Sequence, residues 1–425
     1  MYANSVDTRY CVQTPNMQVE IQPENYECNK KMCSENGAYS KLDHSINKII
    51  EKEGFLQYII DKKCISTNGG NYLGELCEVD VKGKTKEGDK DLNIFVKRMN
   101  SNGDDNMKII SIPNVYKTEL FFYKELSKIF HELQEEARVP LNKKYKTVKS
   151  YDESENDVIL LENLSRKGFT TVDRMDVVSL KFAEMSIQEL AKFHAFSFVL
   201  KEKRPAFFER RIKTMKSPFV TGKDWDGFIK NMVSTTKKFV DISVKDRIEK
   251  FSVNIGDKYA AYYEDKKTQR CLLHGDYRPN NVLTKIINGE ESEVVVVDYQ
   301  LLYYGCPIID FIYFITCATD RKFRKAHLSN LKDLYFENLK DFLKYFKIDV
   351  EDVYPRKVFD KEYEEKKDFG LMMALVVLPF IFASETDVPD ISKEDLSQIE
   401  FKVNGEKFRE RFCGIIEDFI DYGVL

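Results

Sequence analysis

The chain has 425 residues, of which 43% are hydrophobic, 32% charged and 13% aromatic. That is ample material for a core, and the length suggests roughly two or three structural units. The 66 basic and 70 acidic residues are interspersed and leave a net charge of -4, which excludes the basic footprint of a nucleic-acid binder and reads as solvated surface.

Taken in chain order, residues 1–10 have no apolar core, so no secretory signal is expected. Residues 1–40 are polar and lack a sustained period, which predicts a flexible extension. A helix is predicted from Leu42 through Ile60. A glycine-rich turn follows at 66–74, carrying Gly69, Gly70, Asn71, Tyr72 and Gly74, and strands are predicted at 76–81 and 92–98. Pro113 and Asn114, the latter a candidate cap, open a helix whose apolar stripe runs through Phe122, Leu126, Phe130 and Leu133. A strand at 157–162 ends at Asn163, and the chain then becomes mainly helical, with Leu180, Ala183, Ile187, Leu190, His194 and Phe198 on one face. The organisation expected is therefore an extension at 1–40, a strand-rich lobe at 41–163 and a helix-rich lobe at 164–425. The run Leu371–Ala383 is shorter than the roughly 20 residues needed to span a bilayer and is interrupted by Pro379, so it reads as a buried helix. Nine cysteines without a Cys-x-x-Cys pair argue for free thiols in a reducing, cytoplasmic setting.

The segment most suggestive of chemistry is 271–283, with His274, Asp276 and Asn281, followed by Asp298 at the end of a four-valine run. Phosphoryl transfer asks for positioning and charge neutralisation more than covalent help. A carboxylate must accept the proton of the attacking hydroxyl, and hard oxygen ligands must hold magnesium against the phosphates. If 281–287 and 292–298 form a hairpin, facing positions sum to 579 and Asn281 falls opposite Asp298, close enough to share one cation; a slip of one residue breaks this agreement. Lys97 closes an apolar strand after the glycine-rich turn, where its ammonium could reach ATP phosphates. Glu119 shares a helix face with Phe122 and Leu126, and a carboxylate pointing inward wants a cation such as Lys97. Glycines at 69, 70 and 74 would let backbone N–H groups approach phosphate oxygens.

Each feature also has a plain reading. The glycines can be an ordinary turn, Lys97 a surface lysine, Glu119 a rim residue, and Asp276 or Asp298 a cap. His194 on its apolar stripe reads as a satisfied core histidine, and Phe311, Tyr313 and Phe314 read as core aromatics. Trp225 and Asp226 could line an acceptor pocket. What favours chemistry is the joint order of glycine loop, Lys, Glu, Asp/Asn and Asp.

These segments resemble the insect ecdysteroid kinase-like (CHK kinase-like) family, which is similar to choline kinases and aminoglycoside phosphotransferases. The matching stretches are 70–72, 96–97, 119–123, 160–164 with 168–169, 190–197, 274–281, 297–300 and 305–310. The resemblance implies an α+β, bilobal protein-kinase-like fold with a small β-rich N-lobe and a larger mainly helical C-lobe. It further implies Asp276 as catalytic base and Asn281 with Asp298 as magnesium ligands. Lys97 and Glu119 would be a phosphate-positioning pair, residues 69–74 a phosphate-covering loop, and the backbone of Glu162, Asn163 and Leu164 a cradle for adenine. His274 and Asp310 would support the catalytic region. Asn163 stands where many relatives carry Asp, and Gly74 where Ser is frequent.

The function expected is an ATP- and Mg-dependent phosphotransferase acting on a small-molecule hydroxyl, such as an ecdysteroid or another lipophilic or xenobiotic alcohol. No nucleic acid, membrane or protein partner is implied. A choline/ethanolamine-type kinase and a catalytically weak nucleotide-binding protein of the same fold are the alternatives. Protein kinase activity is disfavoured, because Asp-Tyr-Gln replaces Asp-Phe-Gly and only six residues separate Asp298 from Gly305.

Overall fold

The computed structural model describes residues 8–13, 36–65, 74–99, 109–383, 403 and 405–425. Gly69, Gly70, Asn71 and Tyr72 of the glycine-rich turn lie outside the described residues. Two compact units emerge: the described residues up to 65, 74–99 and 148–167 form one, and 109–147 together with those from 168 onward form the other. Residues 109–147, grouped by sequence with the strands, thus cluster with the second unit.

The first unit is an antiparallel sheet in sequential order, β1 (Thr8–Gln13), β2 (Gln57–Ile65), β3 (Glu75–Thr85), β4 (Gly88–Arg98) and β5 (Val158–Glu162). Strand alternation puts Val79 and Val81 of β3 and Leu92, Ile94 and Val96 of β4 into one buried cluster. The helix α1 (Asn36–Lys52) closes that face with Leu42, Ile46, Ile49 and Ile50, spaced as one helical stripe. The predicted helix through Ile60 is corrected here. α1 stops at Lys52, and Gly54 at φ 80° supplies the left-handed turn that ends it. Ile59 and Ile60 then alternate out and in along β2, at 52% and 5% exposure. The opposite face of the sheet is polar: Asn93 donates to Asp80 at 2.7 Å, Asn163 donates to Glu78 at 2.9 Å, and Arg166 pairs with Asp80 at 2.6 Å.

The second unit is mainly helical. Helices α2 (Ile112–Phe121) and α3 (Ser127–Glu136) run into one another through a π-turn, Phe122–Leu126. The cap of α2 is Ser111 rather than Asn114, because Pro113 sits inside the first turn, where its missing N–H costs nothing. The long helix α4 (Leu180–Lys203) is capped by Ser179, which accepts from Phe182 N–H at 2.9 Å. It packs against the helix Arg321–Tyr345. The apolar run near residue 371 forms the buried helix expected, in two pieces: Phe369–Val376, then Leu378–Ile381 with Pro379 in its first turn. Among the described residues no helix is long and apolar enough to cross a membrane. The α+β class is as expected, with a strand-built unit early in the chain and a helical unit later.

Candidate active site

Two short strands hold the chemistry-bearing loop within the second unit. β6 (Phe169–Thr170) belongs to a separate sheet described below, and β7 (Cys271–Leu273) leads directly into His274. A 3-10 turn, Pro279–Asn281, then hands the chain to β8 (Val282–Ile287), which pairs with β9 (Glu290–Val296) and, at its other edge, with β6. β10 (Tyr303–Gly305) returns to pair with β7. The loop bends sharply at Gly275, where φ is 79° and an added Cβ would lie 2.1 Å from the Leu301 carbonyl oxygen. Only glycine fits that position.

Asp276 is buried at 6% exposure, and each of its carboxylate oxygens is held. Tyr313 O–H donates to Oδ1 at 2.6 Å, and Asn281 Nδ2 donates to Oδ2 at 2.9 Å. The Arg278 guanidinium lies 3.2 Å from Oδ2 as an ion pair. Asn281 Nδ2 also donates to the Asp276 carbonyl at 2.9 Å, so the amide plane is fixed with Oδ1 turned away from Asp276. Several donors thus set the direction of one carboxylate, the pre-organisation that proton abstraction requires.

Asp310, fully buried in the first turn of the helix Ile308–Ala318, holds the loop from behind. Its Oδ2 accepts from His274 N–H at 2.6 Å and its Oδ1 from Gly275 N–H at 3.0 Å. The helix N-terminus favours negative charge there. His194 lies 3.2 Å from Asp310 Oδ2 through Nε2, and 2.7 Å from the Tyr335 hydroxyl through Nδ1. An ionised carboxylate only accepts, so Nε2 carries the proton and Nδ1 accepts from Tyr335. Burial lowers the His194 pKa and keeps the ring neutral. The core reading of His194 therefore stands, with a link to the loop that periodicity does not show. His274 faces Val297, its Nε2 3.0 Å from that carbonyl oxygen, while Nδ1 is 3.4 Å from Asp276 N. The supporting part expected of His274 has this geometric form: its ring spans the loop and the end of the valine run.

The hairpin register differs from the expected one. Facing positions sum to 578, with Val282 opposite Val296, and shift to 577 beyond an irregularity between Lys285 and Ile286. The turn is a two-residue one, Asn288 (φ 54°) and Gly289 (φ 83°), as primed hairpin turns require. Asn281 lies in the 3-10 turn rather than in the strand, and its carbonyl accepts from Val297 N–H at 2.9 Å. Its neighbour across the hairpin is therefore Val297, one residue before Asp298. Asp298 adopts the left-handed conformation at φ 68°, uncommon for any residue but glycine and least costly for Asn and Asp. Gln300 Nε2 lies 3.3 Å from Asp298 Oδ2. A carboxylate and an amide oxygen are the hard donors magnesium takes, and the ion completes its octahedron with water and phosphate oxygens. The donor set fits that metal. Among the described residues no group of three or more His, Cys, Asp or Glu side chains gathers as a metal cluster, and a site of this kind does not need one.

Tyr299 anchors the stretch after Asp298. Its ring stacks on Phe122 at 3.4 Å and 12°, and its hydroxyl donates to the Val296 carbonyl at 3.1 Å while lying 2.6 Å from the Tyr145 hydroxyl. The remaining candidates are distributed over both units. Lys97 is buried in β4, opposite Leu76 and Ile159. Gly74 directly precedes β3. Glu162 ends β5, its N–H donating to Lys149 O at 2.9 Å and its carboxylate pairing with Lys167 at 2.7 Å. Asn163 N–H donates to Asn93 O at 3.0 Å, and Leu164 opens a 3-10 turn. Glu119 is buried in α2 of the second unit.

The ecdysteroid kinase-like family model matches residues 68–348. The chain belongs to that family. It is accordingly a small-molecule kinase. No curated protein matches this ecdysteroid kinase-like chain in sequence. Its fold is similar to the ADP-bound aminoglycoside phosphotransferase APH(2'')-Ib, at 17% identity over 86% of this chain and 98% of that one, TM-score 0.33. Similar too are an aminoglycoside phosphotransferase from Streptomyces rimosus (9% identity, 79% and 98% covered, TM-score 0.31) and a glucosamine kinase (11%, 78% and 74%, TM-score 0.33).

Two residues of this ecdysteroid kinase-like site were passed over in the sequence, Tyr313 and Arg278. Tyr313 reads as core because every residue of its helix is buried. The available signal is its spacing: it stands three positions after Asp310, one turn along the same helix face. Trp225 is buried among Phe219, Phe228 and Tyr259, and Asp226 beside it is exposed.

Proposed function

We propose that this kinase transfers the terminal phosphoryl group of ATP to a hydroxyl of a lipophilic small molecule, an ecdysteroid or a related alcohol. The observation that carries the reading is the aimed carboxylate of Asp276, fixed by Tyr313 and Asn281 at 2.6 and 2.9 Å. As the acceptor oxygen forms its bond to the γ-phosphorus, the bond to the ADP leaving oxygen breaks and the hydroxyl proton passes to Asp276. Asn281 and Asp298 would hold magnesium, which when bound neutralises phosphate charge. His274 and Asp310 keep the loop in register. Lys97, Glu119 and the turn at 69–74 are assigned to placing the phosphates, and the backbone at 162–164 to adenine.

Support for an apolar acceptor comes from the family's name and from a cavity of about 1230 Å³ in the second unit, walled in part by Phe219, Tyr259, Tyr262, Tyr263 and Met215. A cytoplasmic setting supplies ATP and suits the free thiols of Cys64, Cys77, Cys271, Cys306, Cys317 and Cys413.

The test replaces Asp276 with Asn and presents labelled ATP, magnesium and a panel of steroids, glycosides and amino alcohols. Turnover on a steroid should fall by orders of magnitude while ATP still binds. Equal phosphate transfer by variant and parent would remove Asp276 from the role of base, and phosphate appearing only on choline would replace the acceptor class.

A further inference from the structure

Cys64 and Cys77 occupy directly opposite positions on β2 and β3, with their sulfurs 3.4 Å apart. Both are free thiols, and Cys64 is exposed. The hydrogen bond between them draws the Cys64 thiol down to about 6 and pushes Cys77 up. One sulfur is therefore a ready nucleophile near neutral pH, and the other is its protonated neighbour. Facing residues on paired strands have Cβ atoms about 4.5–5.5 Å apart, and a disulfide asks for about 3.5–4.5 Å. A bond here needs an approach of about 1 Å, which two strands can supply at the cost of some strain, and strained disulfides are the readily reduced ones. The position matters because β2 and β3 are joined by the glycine-rich turn, residues 66–74.

We propose that Cys64 and Cys77 are a reversible thiol–disulfide site that ties together the two roots of the glycine-rich turn. The co-reactant is a low-molecular-weight disulfide. The Cys64 thiolate attacks one of its sulfurs and releases the first small thiol, leaving a mixed disulfide. Cys77, on losing its proton, attacks the Cys64 sulfur and releases the second. Two protein thiols and one small disulfide thus become one protein disulfide and two small thiols, with no other oxidant. That the bond forms does not depend on the role assigned to the turn. Its effect on nucleotide handling rests on the function proposed above.

The experiment treats the full chain with oxidised glutathione, blocks remaining thiols with iodoacetamide and digests with trypsin without reductant. Lys63 and Lys82 bound a single peptide, 64–82, that contains both cysteines. The expected product is that peptide two hydrogens lighter than its reduced form and free of alkylation, reverting on dithiothreitol to a doubly alkylatable one. With Cys77→Ser the same treatment should leave glutathione trapped on Cys64. A doubly alkylated peptide after oxidation, or a stable glutathione adduct on Cys64 in the parent chain, overturns the proposal. Neither result depends on whether Asp276→Asn loses turnover, so the two readings fail separately.

Discussion

Asp310 and Tyr313 stand one turn apart on a single buried helix and grip consecutive parts of the same loop. Asp310 accepts from the N–H groups of His274 and Gly275, and Tyr313 donates to the Asp276 carboxylate. One helix face thereby sets both the path of the loop and the direction of its carboxylate.

Tyr313→Phe keeps the ring and removes only the hydroxyl. A hydrogen bond to an ionised group is worth about 1.5–3 kcal/mol, so kcat should fall about 10-fold or more. The KM for ATP should hardly move. Steady-state kinetics with both substrates varied will show it, and an unchanged kcat would separate Tyr313 from the reaction.

His194 makes stability depend on pH in a defined direction. Its folded-state pKa lies below the ordinary 6.5, so as pH falls below that value the unfolded chain takes up a proton that the folded chain refuses. The neutral ring's contribution is complete above pH 6.5 and is lost as pH drops toward the depressed folded value. Thermal midpoints measured between pH 8 and pH 5 should therefore decline more steeply for the parent than for His194→Gln. Parallel curves would show that the ring takes up its proton equally in both states.

Gly275→Ala should be among the costliest single changes in the second unit. The new Cβ would meet a backbone carbonyl at 2.1 Å in addition to the positive φ, and we expect a loss of at least about 3 kcal/mol or failure to accumulate. Gly289→Ala, also at positive φ but with nothing within 4 Å, should cost only about 1 kcal/mol. Calorimetry on the two variants compares them directly.

Asp298→Asn preserves a side chain tolerant of the left-handed backbone while removing the charge. The protein should fold with an unchanged thermal midpoint. The magnesium concentration for half-maximal activity should rise by more than about 10-fold, since even supporting contacts to a bound metal are worth that much. Activity titrated against magnesium is the measurement.

Much of this arrangement was legible because its parts lie close in the chain. His274, Asp276 and Asn281 fall within eight residues of one another, and local geometry converts that spacing into a loop and a 3-10 turn. The hairpin register was misjudged by one. Extending the strand back to Asn281 ignored Pro279, which favours the turn, and Asn288-Gly289 makes a tighter reversal than a four-residue loop. Ile59 and Ile60 continued the helical stripe of Ile46, Ile49 and Ile50 on paper, and only the conformation of Gly54 separates helix from strand. His194 and Asp310 are 116 positions apart, and no periodicity within α4 reveals which buried histidine has a carboxylate waiting for it.

The π-turn at Phe122–Leu126 has a consequence for what lengths this stretch of chain can have. Such a turn accommodates one more residue than an ordinary helical turn. Deleting a single residue there would restore regular winding and swing everything after it by about 100°. Phe130 would leave its stack on Phe196, now 3.8 Å away at 5°, and Phe122 could no longer keep its place over Tyr299. Substitutions can be absorbed along 112–136 one side chain at a time, whereas a one-residue gap would rephase the whole of α3 against its neighbours.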